Sequence, residues 1–223
     1  MAAFRSSDKR HPLVLAVKYV RAYCLCMAKQ SLKEPILQAG LRVMFRKGYV
    51  GAGVRDITVE AGAPLGSFSN HFTSKEAFAA EVLDRYFDYV KGLVHEALDD
   101  ASLPPRDRLR RYLDLITDKL AADGCTRGCL IGDFSLEAPG HSELLRERLA
   151  AIFIEWRDLF ARCIADAQAA GEIATTFTPK ELAEFLLASW QGAILRMKVE
   201  RSTAALERFK RIAFATLFAG EPT

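Results

Sequence analysis

The 223-residue chain is half hydrophobic and 26% charged, which describes a globular protein with a substantial core and excludes a disordered or fibrous one. Five cysteines in a chain of this length form neither a dense disulfide framework nor an even set, so they are expected as free thiols in a reducing cytoplasm. The net charge of +3 sits in the N-terminal segment: residues 1–26 hold Arg5, Lys9, Arg10, Lys18 and Arg21 against Asp8, leaving the remainder at −1, so bulk charge argues neither for nor against a polyanionic partner.

In chain order, the first 30 residues read as an N-terminal extension. Lys18 and Arg21 interrupt its apolar stretch, so it is no secretory signal, and Met27 leaves it either a short extra helix or an over-long start assignment. The apolar runs at 13–17 and 185–190 fall well short of the roughly 18–20 residues that a membrane span requires, and no membrane partner is expected. Ser31 and Glu34 have capping-box spacing before a helix carrying Ile36, Leu37, Leu41, Met44 and Phe45, which Lys47-Gly48 ends. A short helix follows over 54–61, Gly62-Ala63-Pro64 breaks it, and a third short piece covers 65–72. Thr73 and Glu76 make a second capping-box spacing at the head of a long helix with Phe78, Val82, Tyr86, Val90 and Leu93 on one side.

Beyond the linker Ser102-Leu103-Pro104-Pro105, helices are expected near 106–123, 142–170, 179–199 and 203–219. No strand pattern, internal repeat or low-complexity tract occurs, so the fold class is all-α. The expected divisions are the extension at 1–30, a small three-helix unit at 31–91 and a larger helical bundle at 92–223.

Two short helices joined by a glycine-containing turn and braced by a preceding helix form a helix-turn-helix, whose second helix can enter a major groove. On a helical wheel Leu65, Phe68 and Phe72 share the side that would anchor this element, while Gly66, Ser67 and Asn70 lie opposite, flanked by Ser69 and His71. The small, hydrogen-bonding outer face suits base edges and phosphates, and the Asn70 amide suits adenine. Lys75 is placed for phosphate contact beside the N-terminal amides of the long helix. Residue by residue, the Ser, Asn and His side chains are equally compatible with plain solvated positions.

The segments Phe45-Arg46-Lys47-Gly48-Tyr49, Val54-Arg55-Asp56-Ile57 and Ala61-Gly62-Ala63-Pro64-Leu65-Gly66-Ser67-Phe68-Ser69-Asn70-His71-Phe72-Thr73-Ser74-Lys75-Glu76 together resemble the DNA-binding domain of TetR-family transcriptional regulators across about fifty residues. The resemblance implies a homodimer that binds double-stranded, palindromic operator DNA and releases it when a small-molecule effector enters the C-terminal bundle. The chain departs from the family where it has Leu65 for a common lysine, Ser69 for a common tyrosine and Gly53 for a Ser or Thr hydroxyl. Losing such backbone contacts weakens nonspecific binding and flattens its salt dependence.

In the C-terminal half, Arg127-Gly128-Cys129-Leu130-Ile131-Gly132-Asp133-Phe134 and Trp190-Gln191-Gly192-Ala193-Ile194-Leu195-Arg196-Met197-Lys198 resemble the subgroup holding the repressors of acrylate utilisation and of N-ethylmaleimide reductase. The resemblance implies that Cys129 senses a reactive or unsaturated effector, with Lys198 a cation near it. Positive charge from Arg127 or Lys198 would lower the thiol pKa and favour reaction with an electrophile or oxidant, with Cys125 as a possible resolving thiol. The alternative is that Cys129 is a small buried hydrophobe.

Trp156, Phe160, Trp190, Phe134 and Phe153 either line a pocket or are ordinary core. Small residues Ala188, Ser189, Gly192 and Ala193 and the stripe Leu206, Phe209, Ala213 and Leu217 suit a dimeric four-helix bundle, unless intrachain packing absorbs them. Cys125, Cys129, Asp133 and His141 lack any recognised metal-ligand spacing, so no metal and no cofactor are expected. Two rival functions are a thiol enzyme pairing Cys129 with His141 and a dimeric adaptor that has lost DNA binding.

Overall fold

The computed structural model describes residues 31–220, and the expectations for the N-terminal extension lie outside them. Among the described residues there are nine α-helices and no strand. Helix α1 is Lys33–Gly51, α2 Val54–Glu60, α3 Gly66–Ser69, α4 Lys75–Leu98, α5 Pro105–Ala122, α6 Leu130–Glu137, α7 Glu143–Ala169, α8 Pro179–Glu200 and α9 Ala204–Ala215; a single 3-10 turn, Ala138–Gly140, follows α6.

Helix starts follow side-chain capping, with two corrections. Ser31 accepts a hydrogen bond from the Lys33 N–H at 3.3 Å, but Glu34 does not return the bond, because its carboxylate is taken by Gln38 and by Arg85 of α4. Leu32, rather than Ser31, is therefore the boundary residue of α1. At α4 the cap is Ser74, whose hydroxyl accepts from the Ala77 N–H at 3.0 Å, one residue later than Thr73. Ser142 caps α7 through Leu145, and Thr178 with Glu181 forms a complete capping box ahead of Pro179.

The last helix ends at Ala215, short of 219, because Thr216 leaves helical geometry and the chain folds back so that the Phe218 N–H reaches the Ala213 carbonyl at 2.9 Å. Arg106 holds that end, donating to the carbonyls of Phe214 and Phe218. Helix α6 has no counterpart in the sequence reading: it is eight residues long with a glycine in its first turn.

The architecture is a small head, α1 to α3, seated on a bundle built mainly from α4, α5, α7, α8 and α9. Helix α4 belongs to both, packing on α1 at its start and on α5 and α7 further along, so residue 91 lies within a continuous helix. Helix α6 is wedged between α1 and the bundle. The core runs without interruption through Phe78, Phe87, Phe134, Trp156, Phe160 and Trp190, all essentially excluded from solvent. No helix among the described residues is long and apolar enough to cross a membrane.

Candidate functional site

The head is organised by three phenylalanines. Phe68 and Phe72 of the second short helical piece stack against Phe78 of α4, with ring centroids 4.7–5.2 Å apart, and all three are buried. Gly62, at φ +63°, makes the turn between α2 and α3. The anchoring assigned to Phe68 and Phe72 is what the structure has, but Leu65 is not part of it: at 58% exposed it stands on the outer surface, because α3 is only four residues long and begins after it. Gly66, Ser69 and Asn70 are exposed beside it, and Ser67 and His71 are half-buried. The Ser69 hydroxyl donates to the Gly66 carbonyl at 3.1 Å.

Lys75 does not point outward. Its Nζ donates to the Val50 carbonyl at 3.2 Å and lies 4.7 Å from the centre of the Tyr49 ring, and burial lowers its pKa. The phosphate contact expected of it is thus corrected: the ammonium is engaged within the head, by the Val50 carbonyl and the Tyr49 ring. At Gly53, which carries no hydroxyl, the backbone N–H donates to Asp56 at 3.2 Å, and Asp56 pairs with Lys47 at 2.9 Å. Glu60 pairs with Arg42 and Arg46, which hold its carboxyl below the usual range. Arg55 is exposed on α2 beside this face, a cation that the sequence reading quoted without assigning it a contact.

The head meets the rest of the protein at Gly48. This residue has φ +71° and ψ −179°, a conformation open essentially to glycine, and it bends the end of α1. Glu137, the last residue of α6, presses into the bend: its Oε2 accepts from the Val50 N–H at 3.0 Å, and a Cβ on residue 48 would fall 2.1 Å from its Oε1. Tyr49 and Phe134 add a ring contact at 5.8 Å, and the Lys75 ammonium feels the Glu137 charge. Sequence reasoning missed Glu137 because α6 itself was not legible.

Cys129 stands at the opposite end of the same helix, as its N-cap residue. The sulfur is faced by the Ile131 and Gly132 amides, the Gln191 side-chain amide and the Tyr86 hydroxyl, all of which favour the thiolate, yet burial outweighs them and the pKa is raised. The expected lowering by a neighbouring cation is therefore corrected. Lys198 does lie alongside, against Gly128, but its Nζ pairs with Asp133 at 3.0 and 3.1 Å, and Arg127 faces Asp123 at the surface. Asp133 follows Cys129 by one helical turn, and sequence reasoning missed its role as the partner of Lys198. His141 is exposed beyond the far end of α6, and no histidine is among the groups facing Cys129. Cys125 and Cys163 are also free and buried.

A cavity of about 350 Å³ opens beside Cys129, between α1, α4, α5 and the α7–α8 pair. Trp156, Trp190 and Tyr112 wall its inner end, and Lys119, Asp123 and Arg127 stand exposed at its mouth. Phe160 and Phe134 are core packing outside it, and the half-buried Phe153 lines a second, neighbouring cavity that Cys129 also borders. On α9, Leu206 and Ala213 are buried and Phe209 packs against Trp190 at 5.4 Å, so intrachain packing absorbs the stripe assigned to a dimer. The unpartnered apolar face lies instead on α8, where Phe185, Ala188, Gly192, Leu195 and Val199 are exposed at heptad spacing.

The chain is 43% identical over 191 residues to the HTH-type transcriptional repressor DhaR of Mycobacterium sp. strain GP1, an alignment spanning 86% of this chain and 94% of that one. It belongs to the TetR family. The profile for bacterial regulatory proteins of the tetR family matches residues 36–82 of this TetR-family chain, and the tetracyclin repressor-like C-terminal domain matches residues 105–213. The transcriptional regulator AcuR of Cereibacter sphaeroides is 35% identical, covering 83% of each chain. Among solved structures, the regulatory protein TetR from Rhodobacter sphaeroides superposes with a TM-score of 0.78 at 33% identity, covering 82% of this chain and 97% of that one. The reduced form of NemR from Escherichia coli superposes with a TM-score of 0.79 at 25% identity, covering 86% and 99%. The protein is thus a DNA-binding transcriptional regulator with the helix-turn-helix head and C-terminal helical domain of its family.

Proposed function

We propose that this TetR-family regulator is a cytoplasmic repressor, released from its operator when a small unsaturated, electrophilic or oxidising effector reaches Cys129. The observation that carries this reading is that one short helix, α6, begins at Cys129 and ends at Glu137, which holds the bend of α1 behind the reading head. A change in volume or charge at the sulfur shifts a helix of about 12 Å whose other end grips the head. With acrylamide, the sulfur bonds to the β-carbon of the alkene, the thiol proton ends on the α-carbon and nothing leaves. With peroxide, the thiol becomes a sulfenic acid and water is released.

In this reading residues 31–91 form the DNA unit and 92–223 the effector and dimer unit. Gly66, Ser67, Ser69, Asn70 and His71, with Leu65 at the edge, face the major groove. Arg55 and the free N-terminal amides of α4 meet phosphates, while Lys75 braces the head. The α8 stripe meets the same stripe of a second copy, which sets the two α3 helices about one DNA turn, roughly 34–36 Å, apart. In this reading the thiol is a switch and not a nucleophile of turnover, which is supported by the absence of a histidine from the described groups that face Cys129.

The test is a band-shift with DNA from upstream of its own gene, before and after acrylamide, with mass spectrometry of the Cys129 peptide. Retardation that acrylamide abolishes in the native chain, and leaves intact in Cys129→Ala, is expected. Retention of the complex by fully modified protein would overturn it.

A further inference from the structure

We propose that the cavity beside Cys129 binds an amphiphilic carboxylate without covalent reaction, its compact apolar or aromatic body between the tryptophans and its charge at the mouth beside Lys119. That such a ligand acts as an effector rests on the regulator reading above. The polar groups of the inner wall are turned toward one another: Tyr86 and Gln191 face the Cys129 sulfur, and the Trp156 indole faces the Tyr112 hydroxyl. What remains toward the hollow is apolar, with Leu41 and Phe45 of α1, Leu93 of α4, Ile116 of α5 and Ile194 of α8. Such walls favour apolar surface and leave the interior no polar anchor. At about 350 Å³ the cavity lies at the small end of ligand sites, which run from roughly 300 to 1,000 Å³, so the body is compact.

The charge is set at the mouth, where Lys119 and Arg127 stand with a single carboxylate, Asp123. Asp123 lies 3.9 Å from Arg127, a long ion pair, and the Lys119 ammonium has no ion-pair or hydrogen-bond partner among the described residues. Two cations with one anion leave this rim one positive charge, which a ligand carboxylate balances. Deeper in, the same carboxylate would lose its water and gain no cation. Burial already raises the pKa of Tyr86, Tyr112 and Cys129, and Lys198 is paired with Asp133. The ligand therefore enters body first and keeps its charge in water.

The bound body rests against the head's own helix. Leu41 and Phe45 belong to α1, which Gly48 bends a few residues further on, and Phe45 packs edge-on against Tyr86 at 5.5 Å. An occupied cavity thus bears on α1 without any change at the thiol.

The probe is phenylacetate, compared with phenylacetamide, an uncharged compound of the same shape, and phenethylammonium, which reverses the charge. Both tryptophans of the sequence wall the cavity, so the indole fluorescence of the full chain reads its occupancy. At matched low ionic strength phenylacetate is expected to bind about fivefold tighter than the amide, the upper range for one exposed ion pair, and at least about tenfold tighter than the ammonium. Potassium chloride is expected to narrow both differences, because the charges meet in water. Lys119→Gln, an exposed position, is expected to bring acid and amide within about twofold of each other. Amide or ammonium binding as tight as the acid, a preference that survives Lys119→Gln, or fluorescence that none of the three compounds changes, overturns the assignment.

The two readings fail separately. If acrylamide dissociates the operator complex through Cys129 while acid and amide bind alike, the regulator reading stands and the carboxylate assignment falls. If phenylacetate binds as described while fully modified protein stays on the operator, the carboxylate assignment stands and the thiol switch falls.

Discussion

The Glu137 carboxylate and the Val50 backbone N–H, 87 residues apart in sequence, meet at 3.0 Å across the junction between the helix-turn-helix head and the C-terminal helical bundle. The bond closes a path from Cys129 through one short helix to the kink behind the reading helix. Helix α4 also connects the two units, but as a continuous rod that packs on both. Only the α6 contact ends at a position whose backbone already departs from helical geometry, where a small push changes the direction of the chain.

Replacing Glu137 with Ala is therefore expected to separate binding from response. The head keeps its Phe68, Phe72 and Phe78 core, so operator affinity should change by less than about tenfold, the range of a single hydrogen bond. Release by acrylamide should fall several-fold, because modification of Cys129 no longer reaches Val50. Fluorescence anisotropy of labelled operator, titrated with unmodified and modified protein, measures both. A variant that releases DNA as readily as the native chain would show that the signal travels along α4 instead.

Gly48 offers a thermodynamic check on the same contact. Gly48→Ala places a side chain both in a forbidden backbone region and against Glu137, and is expected to lower stability by about 2–4 kcal/mol in urea unfolding. Adding Glu137→Ala removes the clash but not the backbone strain. The double variant should thus recover part of the loss and remain about 1–3 kcal/mol below Glu137→Ala alone. Full recovery would mean that the left-handed conformation costs nothing there.

How much of this was legible in the sequence depended on how each residue carries its information. The head was readable because Phe68, Phe72 and the Gly62 turn act locally, through spacing and a backbone requirement. Seven of the eight helices beyond α1 were readable through caps and apolar periodicity. Helix α6 was not, since eight residues interrupted by Gly132 hold too little periodic signal. The directions of charged side chains were also hidden: Lys75 turns inward to Val50, and Lys198 to Asp133, because of partners 25 and 65 residues away. Leu65 was misplaced for a related reason. A helical wheel assumes a helix longer than the four residues that α3 has.

The raised pKa of Cys129 makes a pH-dependent prediction. Because the folded thiol holds its proton more tightly than an ordinary cysteine, a smaller fraction is thiolate at neutral pH, and that fraction still rises as pH increases past the normal thiol range. Alkylation of Cys129 by acrylamide, followed by mass gain of its peptide, should be slower than that of a model thiol at pH 7.5 and should climb without a plateau up to pH 9. The same tighter proton binding implies that folding stability contributed by this group is present below the unfolded thiol pKa and declines as pH rises above it. A plateau below pH 8 would mean that the helix amides overcome burial.

Leu65 is exposed and holds nothing in place, so it can be replaced without a packing penalty. Leu65→Lys restores the cation common in the family at this position. It should tighten binding to operator and to random duplex alike at low salt, and the slope of log K against log salt should steepen by about 0.9 per head, hence about twice that for a dimer. Anisotropy at several potassium chloride concentrations gives the slope. An unchanged slope would place residue 65 out of reach of the phosphates.

The apolar face of α8 leads to the prediction on assembly. Phe185, Ala188, Gly192, Leu195 and Val199 repeat at three and four residues on a surface that nothing among the described residues covers, with Val199 78% exposed, while the stripe of α9 is used internally. Two copies of such a face pack as a helical seam, with the small residues at 188 and 192 allowing close approach. Leu195→Glu places two like charges on a buried two-fold seam and should convert the dimer to a monomer in sedimentation equilibrium at micromolar protein, with circular dichroism unchanged because the substituted side chain is exposed in the isolated chain. Operator affinity should fall by at least about a hundredfold, since one head then binds half a palindrome. Gly192→Leu tests the same seam by size instead of charge. A chain that stays dimeric with both substitutions would move the interface away from α8.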